Sequence, residues 1–167
     1  MRSILAALLL GTTVTSATAG HVFTPTSGSS CSGSSKPQFN VWRCPGPGGF
    51  FAEYADEGNM VAVAIASKAS SRRGAAATVS FRGSGKVFGD KLQWLVEDGK
   101  PQAAILRIWR TETSKEGAES EVQELIVFKV QSASACQYAV VKASQPPANE
   151  LAVARALEAS SATCPEK

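Results

Sequence analysis

The chain contains a single histidine, His21, and histidine is the side chain that most often serves as a general base near neutral pH. His21 stands at the head of a segment rich in serine, glycine and threonine, which offers little rigid support for a catalytic geometry. We interpret it as a solvated residue and expect neither a Ser-His-Asp triad nor a Cys-His dyad. Copper binding through its imidazole and a free amine would require cleavage directly after Gly20, so no metal and no cofactor are predicted.

Acidic side chains are the second group that could do chemistry, as the carboxylate pair of a glycoside hydrolase. Asp56, Glu57 and Asp98 fall in turn sequences, where acids are common for reasons of turn geometry. Glu53 and Glu97 fall in predicted strands, where they are expected to face solvent. No pair is favoured, so a carboxylate-dependent hydrolase of envelope glycans is an alternative function without assigned catalytic residues.

Charged side chains are unevenly distributed, although the net charge of +3 is too small to indicate nucleic-acid binding. The cations of residues 68–91 are Lys68, Arg72, Arg73, Arg82, Lys86 and Lys91. The acids of residues 112–124 are Glu112, Glu116, Glu119, Glu121 and Glu124. The simplest interpretation is two solvated faces. The alternative is a basic surface for an anionic envelope polymer or a protein partner, with Arg72, Arg73, Arg82 and Lys86 as candidate ligand-binding residues.

A tryptophan between two arginines marks another candidate binding position. Arg107 and Arg110 flank Trp109 on a predicted strand. An arginine over an aromatic face can recognise a ligand. The more common arrangement is a strand whose arginine stems pack along apolar surface. Arg107 and Trp109 are therefore weak candidates for ligand binding.

The N-terminal segment has the three parts of a secretory signal. Arg2 supplies the positive charge, residues 4–10 the apolar run, and Ala17-Thr18-Ala19 the small residues before a cleavage site. The apolar run is shorter than the roughly 20 residues that span a bilayer. We predict cleavage after Ala19, no transmembrane segment in the mature chain, and a periplasmic or extracellular location.

The four cysteines indicate two disulfides in an exported protein. None has C-x-x-C spacing, so a redox site or a zinc ribbon is not supported. A strand over 136–143 runs about 23 Å and a helix over 150–163 runs back about 21 Å. This geometry brings Cys164 near Cys136 and leaves Cys31 to pair with Cys44.

The elements that must position these residues are mostly strands. Residues 20–37 are predicted to form a flexible arm, and residues 38–167 a single disulfide-stapled domain. The predicted strands are 38–44, 50–55, 60–66, 77–82, 91–97, 102–113, 122–131 and 136–143. The fold class is α+β and mainly antiparallel β: a meandering sheet or small barrel of about eight strands with one C-terminal helix and two disulfides.

The only helical pattern lies at residues 150–163. Pro146-Pro147 ends the preceding strand, and Asn149 is predicted to be the N-cap. The stripe expected to face the sheet is Val153, Ala154, Leu157 and Ser161.

With these segments in place, the chain resembles a group of small exported bacterial proteins with no assigned function. The similar pieces are residues 44–50, 92–94, 98–101 and 103–107, Cys136, residues 149–152, Arg155 and Cys164. The resemblance implies a shared fold and a periplasmic or secreted location, and it lends no catalytic residue.

The leading hypothesis is a non-enzymatic, exported binding module for an envelope component or a protein partner. The domain lacks histidine, metal-ligand and nucleophile motifs, while a stapled sheet is a rigid surface for display. A further alternative is an inhibitor of a secreted lysozyme or protease, with residues 45–49 or 67–76 as the inserted loop.

Overall fold

The computed structural model describes residues 20–36, 39–68, 74–82 and 85–164, so the predicted signal segment lies outside it. These residues form ten strands in two five-stranded antiparallel sheets, followed by one helix. No helix in the described part of the chain is long and apolar enough to cross a membrane. The prediction of a mainly antiparallel β fold with one C-terminal helix is confirmed.

Sheet I has the strand order β1-β7-β8-β9-β10. Its strands are β1 (Gly20–Pro25), β7 (Phe88–Glu97), β8 (Lys100–Thr113), β9 (Glu119–Val130) and β10 (Ala135–Lys142). The turn between β7 and β8 uses Asp98 and Gly99, which both have positive φ. Two successive positive φ values match the twist of a tight hairpin, as the Asp-Gly sequence predicts.

Sheet II has the strand order β2-β3-β4-β5-β6. Its strands are β2 (Ser32–Lys36), β3 (Phe39–Pro45), β4 (Phe50–Asp56), β5 (Met60–Ser67) and β6 (Ala77–Ser80). Gly58 closes the β4–β5 turn with positive φ, and its N–H donates to the Asp56 carboxylate at 3.0 Å. Asp56 therefore has the turn role that its sequence position predicts.

The main core lies between the two sheets. Alternate residues of sheet I, such as Trp94 and Phe128, meet Tyr54 and Ile65 of sheet II, and all four are almost fully buried. Burying a side chain of this size contributes about 1.5–3 kcal/mol. The face of each sheet I strand that points away from this core is called the outer face below.

The arrangement differs from the predicted meandering sheet or small barrel of about eight strands. The ten strands form two separate sheets because the chain crosses from sheet I to sheet II after β1 and returns before β7. Alternating sequence patterns show which residues of a strand are buried, but they do not identify its neighbours. The two sheets do not close into a barrel.

The segment predicted to be a flexible arm contributes β1 and β2. Two buried or half-buried tryptophans hold β1 in place: Trp94 Nε1 donates to Thr24 Oγ1 at 2.8 Å, and Trp42 Nε1 donates to the Thr26 carbonyl at 2.7 Å. The Thr26 hydroxyl donates to the Gly89 carbonyl at 2.5 Å. These contacts join residues far apart in sequence, so local composition could not indicate them.

Helix α1 (Ala148–Ser161) packs on the outer face of sheet I through Ala152, Ala156 and Ala159. The predicted stripe is wrong at Leu157, which is half exposed, and the prediction of Asn149 as N-cap is also wrong. Pro147 is the N-cap, and Asn149 lies in the first turn. Alanine lets the helix approach the sheet closely, so the smallest side chains rather than the largest ones mark its buried face.

Both predicted disulfides are confirmed. Cys31 is bonded to Cys44, and Cys136 is bonded to Cys164. The first joins the residue directly before β2 to β3, and the second joins the segment after α1 to β10. Two disulfides are compatible with an oxidising extracellular or periplasmic environment.

Candidate functional site

Helix α1 covers only part of the outer face of sheet I. It packs on β8, β9 and β10, and leaves the side formed by β1 and β7 open. A groove of about 130 Å³ follows this boundary. Its floor is apolar, with Ile105 of β8 and Leu125 of β9, and Ala152 of the helix forms one wall.

The opposite wall of the groove is the side chain of Phe23 on β1. Phe23 is 55% exposed, more than any other large apolar side chain among the residues whose side chains the structure describes. Its neighbour Val22 points towards the inner face and is 40% exposed. β1 therefore presents apolar surface on both sides of its backbone.

The rim of the groove is basic. Lys91 of β7 and Arg107 of β8 both line the groove. Lys91 pairs with Pro25, which lies two residues from Phe23 on β1, and residues two apart on a strand share a face. No carboxylate in the described part of the chain forms an ion pair with either cation. The rim thus carries two positive charges that no described carboxylate neutralises.

Arg107 is held in a fixed position. Its guanidinium donates to Gln123 Oε1 at 3.3 Å and to Asn149 Oδ1 at 3.1 Å. Gly89 of β7 lies close beside it, since a Cβ at this glycine would come within 3.1 Å of the Arg107 Cβ. The neutral partners orient the guanidinium and leave its charge available to a ligand.

His21 also lies on this face, at the end of β1. Its Nδ1 is 3.1 Å from the Gln93 amide nitrogen, a distance at which the amide can donate to an unprotonated ring nitrogen. His21 is exposed, as predicted, but it belongs to a paired strand rather than to an arm.

Trp109, the other predicted residue of this strand, does not line the groove. It is half-buried and packs against the core between the sheets, and its backbone N–H donates to the Val87 carbonyl at 2.8 Å. The structure therefore separates Arg107 from Trp109, although they are two residues apart.

The cations of the predicted basic surface are largely neutralised where the structure describes them. Arg82 forms an ion pair with Glu119 at 2.5 Å, and Lys86 forms one with Asp90. Arg72 and Arg73 lie outside the described residues. The Arg82–Glu119 pair also joins the basic stretch to the acidic one, so these stretches do not form two separate faces.

A second cavity, of about 400 Å³, lies near the turn of the β8–β9 hairpin. Glu112, Glu121 and Glu124 line it with Arg110 and Lys142. Arg110 bonds both Glu124, at 2.8 Å, and Glu112, at 3.2 Å. The hydrogen bond that Arg110 donates to Glu124 raises the pKa of Arg110 above its ordinary value, so this arginine stays charged and occupies both carboxylates.

A third cavity, of about 340 Å³, lies against sheet II and includes Arg43, Phe51 and Lys68. Arg43 forms an ion pair with Glu53, and its guanidinium carbon lies 4.3 Å above the Phe51 ring. The arginine is therefore already committed to one acid and one ring. No group of three side chains suited to a metal occurs in the described ranges.

Comparison with known proteins gives no further guide. No family model, curated protein or solved structure matches this chain.

The sequence pattern predicts Arg107 as a weak ligand-binding candidate but does not indicate the side chains around it. It places Lys91 in a basic stretch, Asn149 at a helix cap and Phe23 in a flexible arm. Asn149 lies 42 residues from Arg107 along the chain, and Phe23 belongs to a strand held by β7 and by the side chains of Trp42 and Trp94, all of them distant in sequence. No local pattern carries this information.

Proposed function

We propose that this chain is an exported binding module, and that the groove beside α1 holds an anionic, partly apolar segment of a protein partner. The observation that carries the proposal is the pair Lys91 and Arg107, two cations on one sheet face to which no acid of the described residues is paired. Such a rim attracts an anionic ligand and fixes its register.

The apolar surface favours a protein segment over a highly charged polymer. Ile105 and Leu125 form the floor, and the ring of Phe23 stands beside it. Exposed aromatic side chains next to arginine are typical of residues that dominate protein interfaces. A purely polyanionic ligand would use the cations but would leave these apolar side chains in contact with water.

Export is the second part of the proposal. The signal-like pattern of residues 1–19 and the two disulfides support it. The test is to express the full chain with its own leader in a bacterial host, isolate the exported fraction, and determine the N-terminus by mass spectrometry. We expect Gly20 as the first residue. An uncleaved chain found only in the cytoplasm would contradict export.

Binding is tested on the same exported protein with displayed peptide libraries. The probe is a library of peptides of about eight residues, the length of an ordinary strand, with glutamate fixed at alternate positions. A matched library carries lysine at those positions. We expect enrichment from the glutamate library only, and dissociation of the selected peptide as salt is raised.

Two variants distinguish the groove from general attraction by a basic protein. Lys91→Glu reverses a rim charge, whereas Lys115→Glu makes the same change in the β8–β9 loop. Loss of binding in the first variant and retention in the second would support the groove. Equal binding by both variants, or equal enrichment from both libraries, would contradict it.

The hydrolase alternative has one observation in its favour, the three glutamates of the second cavity. Arg110 occupies two of them, so neither Glu112 nor Glu124 is free to donate a proton to a leaving group. Screening the exported protein and its Glu121→Gln variant on peptidoglycan would test it, and turnover that depends on Glu121 would favour the hydrolase.

The inhibitor alternative receives little support from the loop at residues 45–49. Here Gly46 lies against the Trp94 ring, and Gly48 against Pro101, so closely that an added Cβ at either glycine would come within 3.0 Å of them. A loop packed in this way does not protrude as an inserted wedge would. Part of the other candidate loop, residues 69–73, lies outside the described residues.

A further inference from the structure

We infer that the groove recognises two side chains of an extended partner segment: an acidic residue and, two positions along the segment, an apolar residue. The inference rests on the proposed function and specifies the sequence pattern of the segment. It follows from the register of sheet I, the direction of α1 and the chemistry of the side chains that line the groove.

The residues that line the groove form two rows across sheet I. Phe23 pairs with Gln93 of β7, and Gln93 pairs with Ile105 of β8, so these three residues make one row. Lys91 and Arg107 each lie two residues from this row, on the same side of it, and make the second row. Two residues of a strand extend about 6.6–6.8 Å, which is therefore the distance between the rows.

Helix α1 runs along the strands, so the groove beside it passes from one row to the other. Arg107 donates to Asn149 in the first turn of the helix. In the last turn, the Ser160 carbonyl accepts a hydrogen bond of 2.6 Å from Lys129 Nζ. Lys129 pairs with Ala103, which lies on the same strand as Arg107. A segment that lies in the groove parallel to the helix therefore meets the two rows in turn.

An extended segment matches the distance between the rows. Side chains two positions apart on an extended chain share a face and are separated by about 6.6–6.8 Å, whereas neighbouring side chains point in opposite directions. A helical segment would bring residues four positions apart to a similar spacing of about 6 Å. A helix is about 10–12 Å across, however, and cannot enter a groove of about 130 Å³.

Charge assigns the acidic residue of the segment to the row of Lys91 and Arg107. No carboxylate of the described residues is paired with either cation, and a carboxylate accepts strong hydrogen bonds from both lysine and arginine. The Arg107 guanidinium is already oriented by Gln123 and Asn149, so it need not be ordered when the acid binds.

The apolar residue of the segment falls on the row of Phe23. The Phe23 side chain is 55% exposed and Ile105, in the same row, is 7% exposed, so the Phe23 ring supplies most of the apolar surface that a ligand can cover. This row contains no cation. An acid placed here would lose contact with water without gaining a charged partner.

The test is a displayed library of peptides of about nine residues, with one glutamate fixed at the centre and every other position random, selected on the exported protein. We expect apolar residues to be enriched two positions from the glutamate. Moving the apolar residue to the position next to the glutamate should weaken binding of the selected peptide about tenfold. Enrichment three or four positions away, as on a helix, or no positional preference would overturn the inference.

Two variants assign each peptide side chain to its row. In Lys91→Ala, replacing the peptide glutamate with glutamine should weaken binding at least about threefold less than it does in the parent protein, while replacing the apolar residue with serine keeps its full effect. Phe23→Ser should give the opposite result. Both side chains are exposed, so neither change disturbs the core. Effects that do not differ between the two variants would overturn the assignment of the rows.

Failure of this inference is distinguishable from failure of the proposed function. A peptide from the alternating glutamate library whose binding is lost in Lys91→Glu would still support the groove, even where the second library shows no spacing preference. Peptides from both libraries that bind Lys91→Glu as tightly as the parent protein would contradict the proposed function and the inference together.

Discussion

The Arg107 guanidinium donates a hydrogen bond to Asn149 Oδ1 at 3.1 Å, and this contact joins the middle strand of sheet I to the first turn of α1. The helix therefore does more than cover half of a sheet face. It supplies a neutral acceptor that fixes the one arginine at the boundary between covered and open surface, next to Lys91 and Phe23.

The role of Asn149 can be tested by stability. Because Pro147 is the N-cap, Asn149→Ala removes one exposed hydrogen bond but replaces asparagine with a better helix former. We expect the free energy of unfolding, measured with urea, to change by less than about 0.5 kcal/mol. If Asn149 were the N-cap, the same substitution would cost about 1 kcal/mol.

The alanine face of α1 gives a second prediction. Ala156→Leu inserts a large side chain between the helix and sheet I, where Ala156 is 1% exposed. We expect a loss of about 1–3 kcal/mol in urea unfolding. Leu157→Ala is the control, because Leu157 is half exposed and its truncation is expected to change stability by about 0.5 kcal/mol or less. The reverse order of effects would place the helix on the stripe that the sequence pattern predicts.

Tyr54 combines complete burial with an unpartnered hydroxyl. Its ring stacks on Trp42 at 5.5 Å and lies 5.0 Å from Phe88, and none of the residues that the structure describes gives its hydroxyl a hydrogen-bond partner. Removing an unsatisfied buried group avoids a penalty of about 1–3 kcal/mol, so we expect Tyr54→Phe to be about 1 kcal/mol more stable at neutral pH. A loss of stability would show that the hydroxyl has a partner in solution.

The same residue predicts a dependence on alkaline pH. Burial raises the pKa of Tyr54 above its ordinary value of 10.0. As pH rises, the unfolded chain therefore loses the Tyr54 proton before the folded chain does. The free energy of unfolding is unaffected by this group below pH 10 and falls above it, by up to about 1.4 kcal/mol per pH unit. Urea unfolding between pH 9 and pH 11 should show a smaller decline in Tyr54→Phe. Tyr138→Phe is the matched control, because it removes a phenol outside the aromatic cluster.

The disulfides differ in the length of chain that they close. Their cysteines are 13 and 28 residues apart. Loop entropy predicts that the free energy of unfolding falls by about 3 kcal/mol when either disulfide is replaced by a pair of serines. The variant without Cys136–Cys164 should be less stable than the variant without Cys31–Cys44 by roughly 0.7 kcal/mol. Urea unfolding of both variants checks this. A clearly larger loss for the Cys31–Cys44 variant would show that strain or packing outweighs loop length.

Strands β3 to β10 and both disulfides could be predicted because their causes are local or simply geometric, whereas β1 and β2 were expected to form a flexible arm. Alternation in β3 to β10, the Asp98-Gly99 turn, and the matching lengths of β10 and α1 are all visible in the sequence. The two-sheet arrangement and the groove could not be predicted. They depend on Trp94 reaching Thr24, on Trp42 reaching Thr26, and on alanines that let α1 approach the sheet.

The central claim is that the groove beside α1 binds an acidic segment. The most direct measurement is the dissociation constant of the selected glutamate peptide for the exported protein and for its Lys91→Glu and Lys115→Glu variants, by isothermal titration calorimetry. We predict at least about a tenfold weaker affinity for Lys91→Glu and at most about a twofold change for Lys115→Glu. Equal affinities for the two variants would contradict the claim.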